Sequence, residues 1–227
     1  YGTRLKSAVP DVPKPLAPVC GRPFLVHLIE NCVLQGADNI VFLLHFEAKK
    51  IERILSNMIN EGLLDGVRIR TIIEKKPLGT GGSILNALKT IKLKDSFMAI
   101  NADTWLGTGL KVMSSSKAPS LAAIQVEDCS RYGSLSIVGG NVHKFQEKKD
   151  PKKKGYINAG LYHLKPSLFE SFSIDDSFSL EKKILPKLAK SGSLSVTKIE
   201  TEFIDIGVPE DYYRFCRWIE GDKNFGL

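Results

Sequence analysis

Apolar residues recur with two different periods along this chain, and the change between them falls near its middle. Phe24, Leu25, Leu28, Ile29 and Cys32 lie at helical spacing. They predict a helix over 23–36, with Pro23 at its first position and Gly36 at its stop. The short apolar run from Ile40 to Leu44 predicts a buried strand. Ile51, Ile54, Leu55 and Met58 share one face of a second helix. Val67, Ile69 and Thr71 alternate with Arg68 and Arg70, the pattern of a strand. A loop over Glu74–Thr80, a helix over 81–91 and a strand over Phe97–Asn101 follow.

From residue 120 strand signals dominate. Ser120–Val126, Gly133–Val138, Val142–Gln146 and Tyr156–Leu164 read as strands, and Gly139-Gly140-Asn141 reads as a hairpin turn. A helix returns over 179–190, where Pro186 predicts a kink or break. Another spans about 209–219, opened by Pro209-Glu210-Asp211.

Strands alternating with helices predict an α/β fold. The expected form is Rossmann-like: a mostly parallel mixed sheet with helices on both faces and an antiparallel or mixed second half. Ligands of such sheets bind beyond the carboxyl ends of strands, so chemistry is sought in the loops that follow strands. No repeat, low-complexity tract or linker interrupts the 227 residues, and one domain over 1–227 is expected. The chain opens on Tyr1-Gly2-Thr3-Arg4-Leu5, a loop sequence with no strand ahead of it. A first strand preceding Tyr1 is therefore expected.

Composition narrows the function classes. Apolar residues make up 43% and charged residues 25%, with no apolar run long enough for a membrane helix and no signal peptide at the start. Cys20, Cys32, Cys129 and Cys216 are widely spaced, as in a reduced, cytoplasmic protein. His27, His45, His143 and His163 show no metal-ligand spacing. The net charge of +7 suits anionic partners. A nucleic-acid role rests on that charge alone, and no recognition motif supports it.

The candidate chemistry begins at Gly2-Thr3-Arg4-Leu5 and Pro13-Lys14-Pro15-Leu16. Glycine lets backbone N–H groups approach a phosphate. Arg4 supplies a planar fork and Lys14 a point charge, while the flanking prolines stiffen the loop. By composition alone the same residues fit a Pro-rich surface loop. Further segments follow in order: Glu74-Lys75-Lys76-Pro77-Leu78-Gly79-Thr80-Gly81-Gly82, Asn101-Ala102-Asp103, Arg131-Tyr132-Gly133, Phe145-Gln146-Glu147-Lys148, Ile157-Asn158-Ala159-Gly160 and Phe203-Ile204-Asp205-Ile206-Gly207. Each has an ordinary alternative. Asp103 alone fits a helix N-cap, Asp205 a turn, and Glu147 and Lys148 a solvated charge run with Lys149, Lys152, Lys153 and Lys154.

Taken together and in this order, these segments resemble the sugar-1-phosphate nucleotidyltransferase family across essentially the whole chain. That family's signature loop runs G-G-x-G-T-R-L, then P-K-P-L. The leading glycines are absent here, and Ala102 replaces the usual glycine of the strand-end G-D motif. Within the family the chain is similar to the short D-glycero-α-D-manno-heptose 1-phosphate guanylyltransferases. The pointers are Pro77-Leu78-Gly79-Thr80-Gly81-Gly82, Phe178-Ser179-Leu180-Glu181 and the run from Phe203 to Tyr213.

The resemblance implies an enzyme that joins the nucleoside monophosphate of an NTP, GTP by preference, to a sugar 1-phosphate and releases pyrophosphate. It implies a nucleotide-binding half over 1–118 and a sugar-phosphate half over 119–227. Arg4, Lys14 and Asp103 are the implied catalytic residues. Gly2, Thr3, Glu74, Gly79, Thr80 and Gly81 would bind the nucleotide. Gly133, Glu147, Lys148, Asn158 and Gly160 would bind the sugar phosphate. Asp103 and Asp205 would hold Mg²⁺. The implied partners are the NTP and the sugar 1-phosphate, with no nucleic acid and no membrane; a homodimer is allowed for. Mannose-1-phosphate guanylyltransferase and short uridylyl- or thymidylyltransferases are the alternatives within the family. A nucleotide-sugar-binding regulatory homologue is the non-enzyme alternative.

Overall fold

In the computed structural model the described residues are 5, 9, 12–146, 153–174 and 176–221. A 3-10 turn at Lys14–Leu16 leads into a hairpin of β1 (Pro18–Val19) and β2 (Arg22–Pro23), and then into α1 (Phe24–Leu34). Pro23 sits just before the helix and not at its first position. Its φ of −59° suits either role, but its ψ of 142° is extended, because the residue pairs with Pro18 in the hairpin. Helix α1 buries two faces. Phe24, Leu28 and Cys32 enter one core, and Leu25, Val26 and Ile29 enter another.

The next elements are β3 (Asn39–Leu44), α2 (Ala48–Asn60) and β4 (Arg68–Ile73). Strands β3 and β4 pair in parallel, from Asn39 opposite Arg68 to Leu44 opposite Ile73. Helix α2 buries Ala48, Ile51, Leu55 and Met58, the spacing of a single helical face. Then come α3 (Gly79–Ile91), β5 (Phe97–Ile100), β6 (Thr104–Leu106), α4 (Leu110–Ser114) and β7 (Ser120–Val126). The second half supplies β8 (Leu135–Val138), β9 (Asn141–Phe145), β10 (Gly155–Leu164), α5 (Leu180–Lys183), α6 (Leu185–Lys190), β11 (Ser195–Lys198), β12 (Phe203–Asp205) and α7 (Pro209–Ile219).

Six strands form the central sheet in the order β5-β10-β7-β11-β9-β8. It is mixed: β7 and β11 run parallel, and the other neighbours are antiparallel. The hairpin between β8 and β9 turns at Gly139 and Gly140, both at positive φ (57° and 78°), as a two-residue primed turn requires. Pro186 falls in the first turn of α6, and the helical stretch is split there into α5 and α6.

Two features of this architecture position the candidate chemistry. Strand β10 changes register against β7 between Asn158 and Tyr162. Strand β12 pairs antiparallel with β6, setting Asp205 opposite Thr104. Helix α7 covers that pair through Phe215, which is fully buried between Phe24 and Trp105, with ring centroids 5.0 and 5.1 Å away. Burying one such ring contributes about 1.5–3 kcal/mol, so α7 is firmly tied to α1 and β6. The Asn31 amide adds a hydrogen bond to the Leu106 carbonyl at 2.6 Å. No helix among the described residues is long and apolar enough to cross a membrane.

Candidate active site

A polar cleft of about 250 Å³ opens where β5, β6, β10 and β12 come together. Lys14, Asn101, Asp103, Arg131, Asn158 and Asp205 are among its lining residues. The register of β12 against β6 explains the central pair. Ile204 and Ile206 are fully buried, so the two-residue period of a strand turns Asp205 the other way, into the cleft. The Ile206 N–H donates to the Asp103 carbonyl at 3.0 Å, which fixes the strand ends side by side. Two carboxylates distant in sequence therefore face one cavity.

Lys14 joins them. Its Nζ donates to Asp103 Oδ2 at 2.7 Å, with both side chains about a quarter to a third exposed. The Gly207 N–H donates to Asp205 Oδ1 at 2.8 Å. A Cβ at Gly207 would lie 2.8 Å from that oxygen and 3.2 Å from Lys14 Nζ, so a larger residue here would push these two side chains aside. Burial pushes the Asp205 carboxyl above the usual carboxylate range, and the Asp103 charge pushes it further. The Gly207 N–H and Lys14 act in the opposite direction.

The donor set fits a hard divalent cation. Mg²⁺ is held by one or two carboxylates together with phosphate oxygens, not by an all-protein cage. Asp103 and Asp205 line the cleft and supply two. Burial raises the Asp205 carboxyl most and the Asp103 charge adds to it, and a cation between the two carboxylates would relieve that second part.

The β10 wall is built by a local network. Gly160 takes a φ of 71°, and a Cβ there would lie 2.7 Å from the Asn101 side chain. The Gly160 N–H donates to Asn158 Oδ1 at 3.1 Å, and Asn158 Nδ2 donates to the buried Tyr162 hydroxyl at 2.9 Å. Asn158 and Gly160 thus both border the cleft. Gly133 is not among the residues lining it. That glycine turns the chain at a φ of 79° just after Tyr132.

The loop Glu74–Gly82 does not line this cleft. Glu74 is buried, and its Oε2 accepts the Leu78 N–H at 3.1 Å. Its carbonyl pairs with His45 Nδ1 at 3.0 Å. The glycines of this loop face protein. A Cβ at Gly79 would lie 2.7 Å from the Phe178 carbonyl, one at Gly81 would strike the Phe178 ring, and one at Gly82 would lie 2.5 Å from the Asp176 carbonyl. Thr80 joins the same contact: its hydroxyl donates to Glu181 at 2.6 Å and accepts the Leu180 N–H at 2.9 Å. Gly2, Thr3, Arg4, Glu147 and Lys148 lie outside the described residues.

Sequence patterns singled out Lys14, Asp103, Asp205, Asn158 and Gly160, and the structure brings these together. Asn101, Arg131, Tyr132 and Gly207 also line the cleft and were not chosen individually. Each sits inside a motif that was recognised, so the missing information was direction, which a motif does not carry.

The family profile for nucleotidyl transferase matches residues 1–220. The chain is 36% identical to a D-glycero-alpha-D-manno-heptose 1-phosphate guanylyltransferase of Campylobacter jejuni subsp. jejuni serotype O:2, covering 94% of each chain. It is 29% identical to the mannose-1-phosphate guanylyltransferase catalytic subunit beta of Xenopus tropicalis, over 97% of this chain and 62% of that one. The crystal structure of HddC from Yersinia pseudotuberculosis complexed with GMP-PN superposes with a TM-score of 0.79 at 36% identity, covering 95% and 94% of the two chains. With a family profile spanning nearly its whole length and relatives this similar, the chain belongs to the nucleotidyl transferase family.

Proposed function

We propose that this chain joins the nucleoside monophosphate of GTP to D-glycero-α-D-manno-heptose 1-phosphate, giving a nucleotide-diphospho-sugar and pyrophosphate. The role fits a cytoplasmic enzyme of surface-polysaccharide biosynthesis. The observation that carries the reading is the Lys14–Asp103–Asp205 constellation, in a chain that matches a heptose 1-phosphate guanylyltransferase over 94% of both lengths.

A phosphate oxygen of the sugar 1-phosphate attacks the α-phosphorus. One phosphorus–oxygen bond forms while the bond to the β-phosphate oxygen breaks, and pyrophosphate leaves with the electron pair. The nucleophile is already an anion, so no side chain need remove a proton. The barrier is dominated by bringing like charges together, and catalysis is then positioning and electrostatics. Lys14, held in place by Asp103, supplies a fixed cation at the cleft. Arg4 is assigned to the leaving pyrophosphate and Lys148 to the sugar phosphate. Asp103 and Asp205 would hold Mg²⁺, which, when bound, neutralises phosphate charge.

The base is assigned to the loop Glu74–Gly82. One Glu74 oxygen is taken by the Leu78 N–H, so guanine's N–H donors are left to the other oxygen and to backbone carbonyls. A buried donor without a partner costs about 1–3 kcal/mol, or roughly ten- to a hundredfold in discrimination. The test is a matrix of NTPs against sugar 1-phosphates, read by pyrophosphate release. GTP should exceed UTP, dTTP, CTP and ATP by at least about tenfold in kcat/KM. A preference for a pyrimidine nucleotide rejects the guanylyl assignment, and absence of release with every pair rejects the enzyme. Mannose 1-phosphate is the second sugar to test, on the strength of the Xenopus relative.

A further inference from the structure

The cleft wall that carries Arg131 contains a charged network with no part in the reaction steps. Asp211 lies in the first turn of α7, and its side chain is 1% exposed. Its Oδ2 accepts from the Arg131 guanidinium and, at 3.3 Å, from the Tyr132 hydroxyl. Its Oδ1 lies 3.4 Å from Arg214. Arg214 is turned inward, where it also donates to the Phe203 carbonyl at 3.0 Å. Arg131 and Tyr132 are the members that line the cleft, and Arg131 has 35% of its side chain exposed.

Two guanidiniums flank the one buried carboxylate of Asp211, while the carboxylates of Asp103 and Asp205 face the same cleft. Glu210, the neighbouring acid, is exposed and screened by water. Burial beside Asp211 pushes the Tyr132 hydroxyl up to about 12, so it stays a neutral donor near neutral pH. An arginine carries five N–H donors in a rigid fork, and Asp211 does not exhaust them. A cation fixed in one rotamer before its ligand arrives avoids much of the ordering cost of binding.

We propose that Arg131 binds the phosphate of the sugar 1-phosphate and that Asp211 is the positioning residue that holds Arg131 in the cleft. The proposal rests on the nucleotidyltransferase reading for its substrate and places the anion beside Asn158 and Gly160, the adjoining β10 wall. It also gives α7 a part in the site. The helix carries the carboxylate that orients a side chain of the loop after β7.

Three variants and two readouts test it. Arg131→Met should raise the sugar-phosphate KM about ten- to a hundredfold and leave the GTP KM within about twofold, since a charge-assisted hydrogen bond is removed from one substrate only. Asp211→Asn should move the same KM in the same direction, and the double variant should be no worse than Arg131→Met alone. Arg131→Lys should recover only part of the loss, because an ammonium cannot serve Asp211 and a phosphate as a fork does. The second readout is calorimetric titration with inorganic phosphate. Wild type should bind it at least about tenfold more tightly than Arg131→Met.

Equal phosphate affinity in wild type and Arg131→Met overturns the proposal, whether or not turnover is found. A wild type that binds phosphate through Arg131 but turns over no NTP and sugar pair overturns only the enzymatic reading. Should Asp211→Asn fail to fold, Arg131→Lys decides the positioning role: full recovery of KM by lysine would overturn it.

Discussion

Glycines do opposite work in the two motif regions. At the cleft floor, Gly207 keeps a side chain out of the space between Asp205 and Lys14. At the start of α3, Gly79, Gly81 and Gly82 turn their bare faces to Asp176 and Phe178, which close over them. That segment is itself braced: Phe178 stacks on Phe172 with centroids 4.1 Å apart, and Thr80 bonds both Leu180 and Glu181. The first region is organised by charge and the second by packing. A glycine-rich stretch between a strand and a helix therefore does not, by its composition, say whether ligand or protein makes the close approach.

The contrast is sharpest at the Asp103–Asp205 pair. Asp103→Asn should lower turnover by about 10²- to 10³-fold, the scale for losing one preorganised electrostatic contact, while the far-ultraviolet circular dichroism and Tm stay near wild type. A large drop in Tm would show that the pair is structural, like the α3 region.

Gly79→Ala probes the other region. The new Cβ meets the Phe178 carbonyl, and the backbone is at a φ of 71°. A loss of about 1–3 kcal/mol of stability is expected by denaturant titration. If kcat/KM for GTP collapses while stability is unchanged, the glycine serves the ligand and the contrast fails.

The smallest effect concerns Asp205. Its folded carboxyl titrates above the usual carboxylate value, chiefly because it is buried and then because Asp103 is near. The native state thus holds that proton more tightly than the unfolded chain does. Stability is lost as pH rises from the ordinary carboxylate pKa through the raised one, and at neutral pH the ionised group is a net cost. Asp205→Asn, which keeps an acceptor for the Gly207 N–H, should raise Tm at pH 7 in the presence of a chelator. The gain should vanish below the usual carboxylate range. An unchanged or lowered Tm at pH 7 would show that the ionised Asp205 carboxylate is not a net cost to the fold. Turnover should fall all the same, separating stability from function at one residue.

Much of the element order was legible from periodicity. The strand at Ser120–Val126 and the helix at 209–219 match their expected spans, and Pro186 divides the helical stretch as expected. Both depend on local rules, a two-residue or 3.6-residue period and a missing N–H. Elements too short to show a period were not legible. The β1–β2 hairpin, β6 and β11 have two, three and four residues, and only pairing with distant partners makes them strands. The mixed sheet was expected, but its order was not. That β11 slots between β7 and β9 is a choice among long-range pairings that a strand's own pattern does not make.

The sequence by itself determined the family, the chemistry-bearing residue types and most element boundaries, because propensity, proline and glycine rules and motif order act over a few neighbouring residues. Tertiary structure alone decided which charges meet. Asp103 and Asp205 face one cavity because β12 pairs with β6 in one register. Arg131 points into that cavity because a carboxylate on α7 holds it there. Such pairings are set by how buried faces fit together, so a one-residue slip of β12 would keep every motif and turn Asp205 away from the cleft.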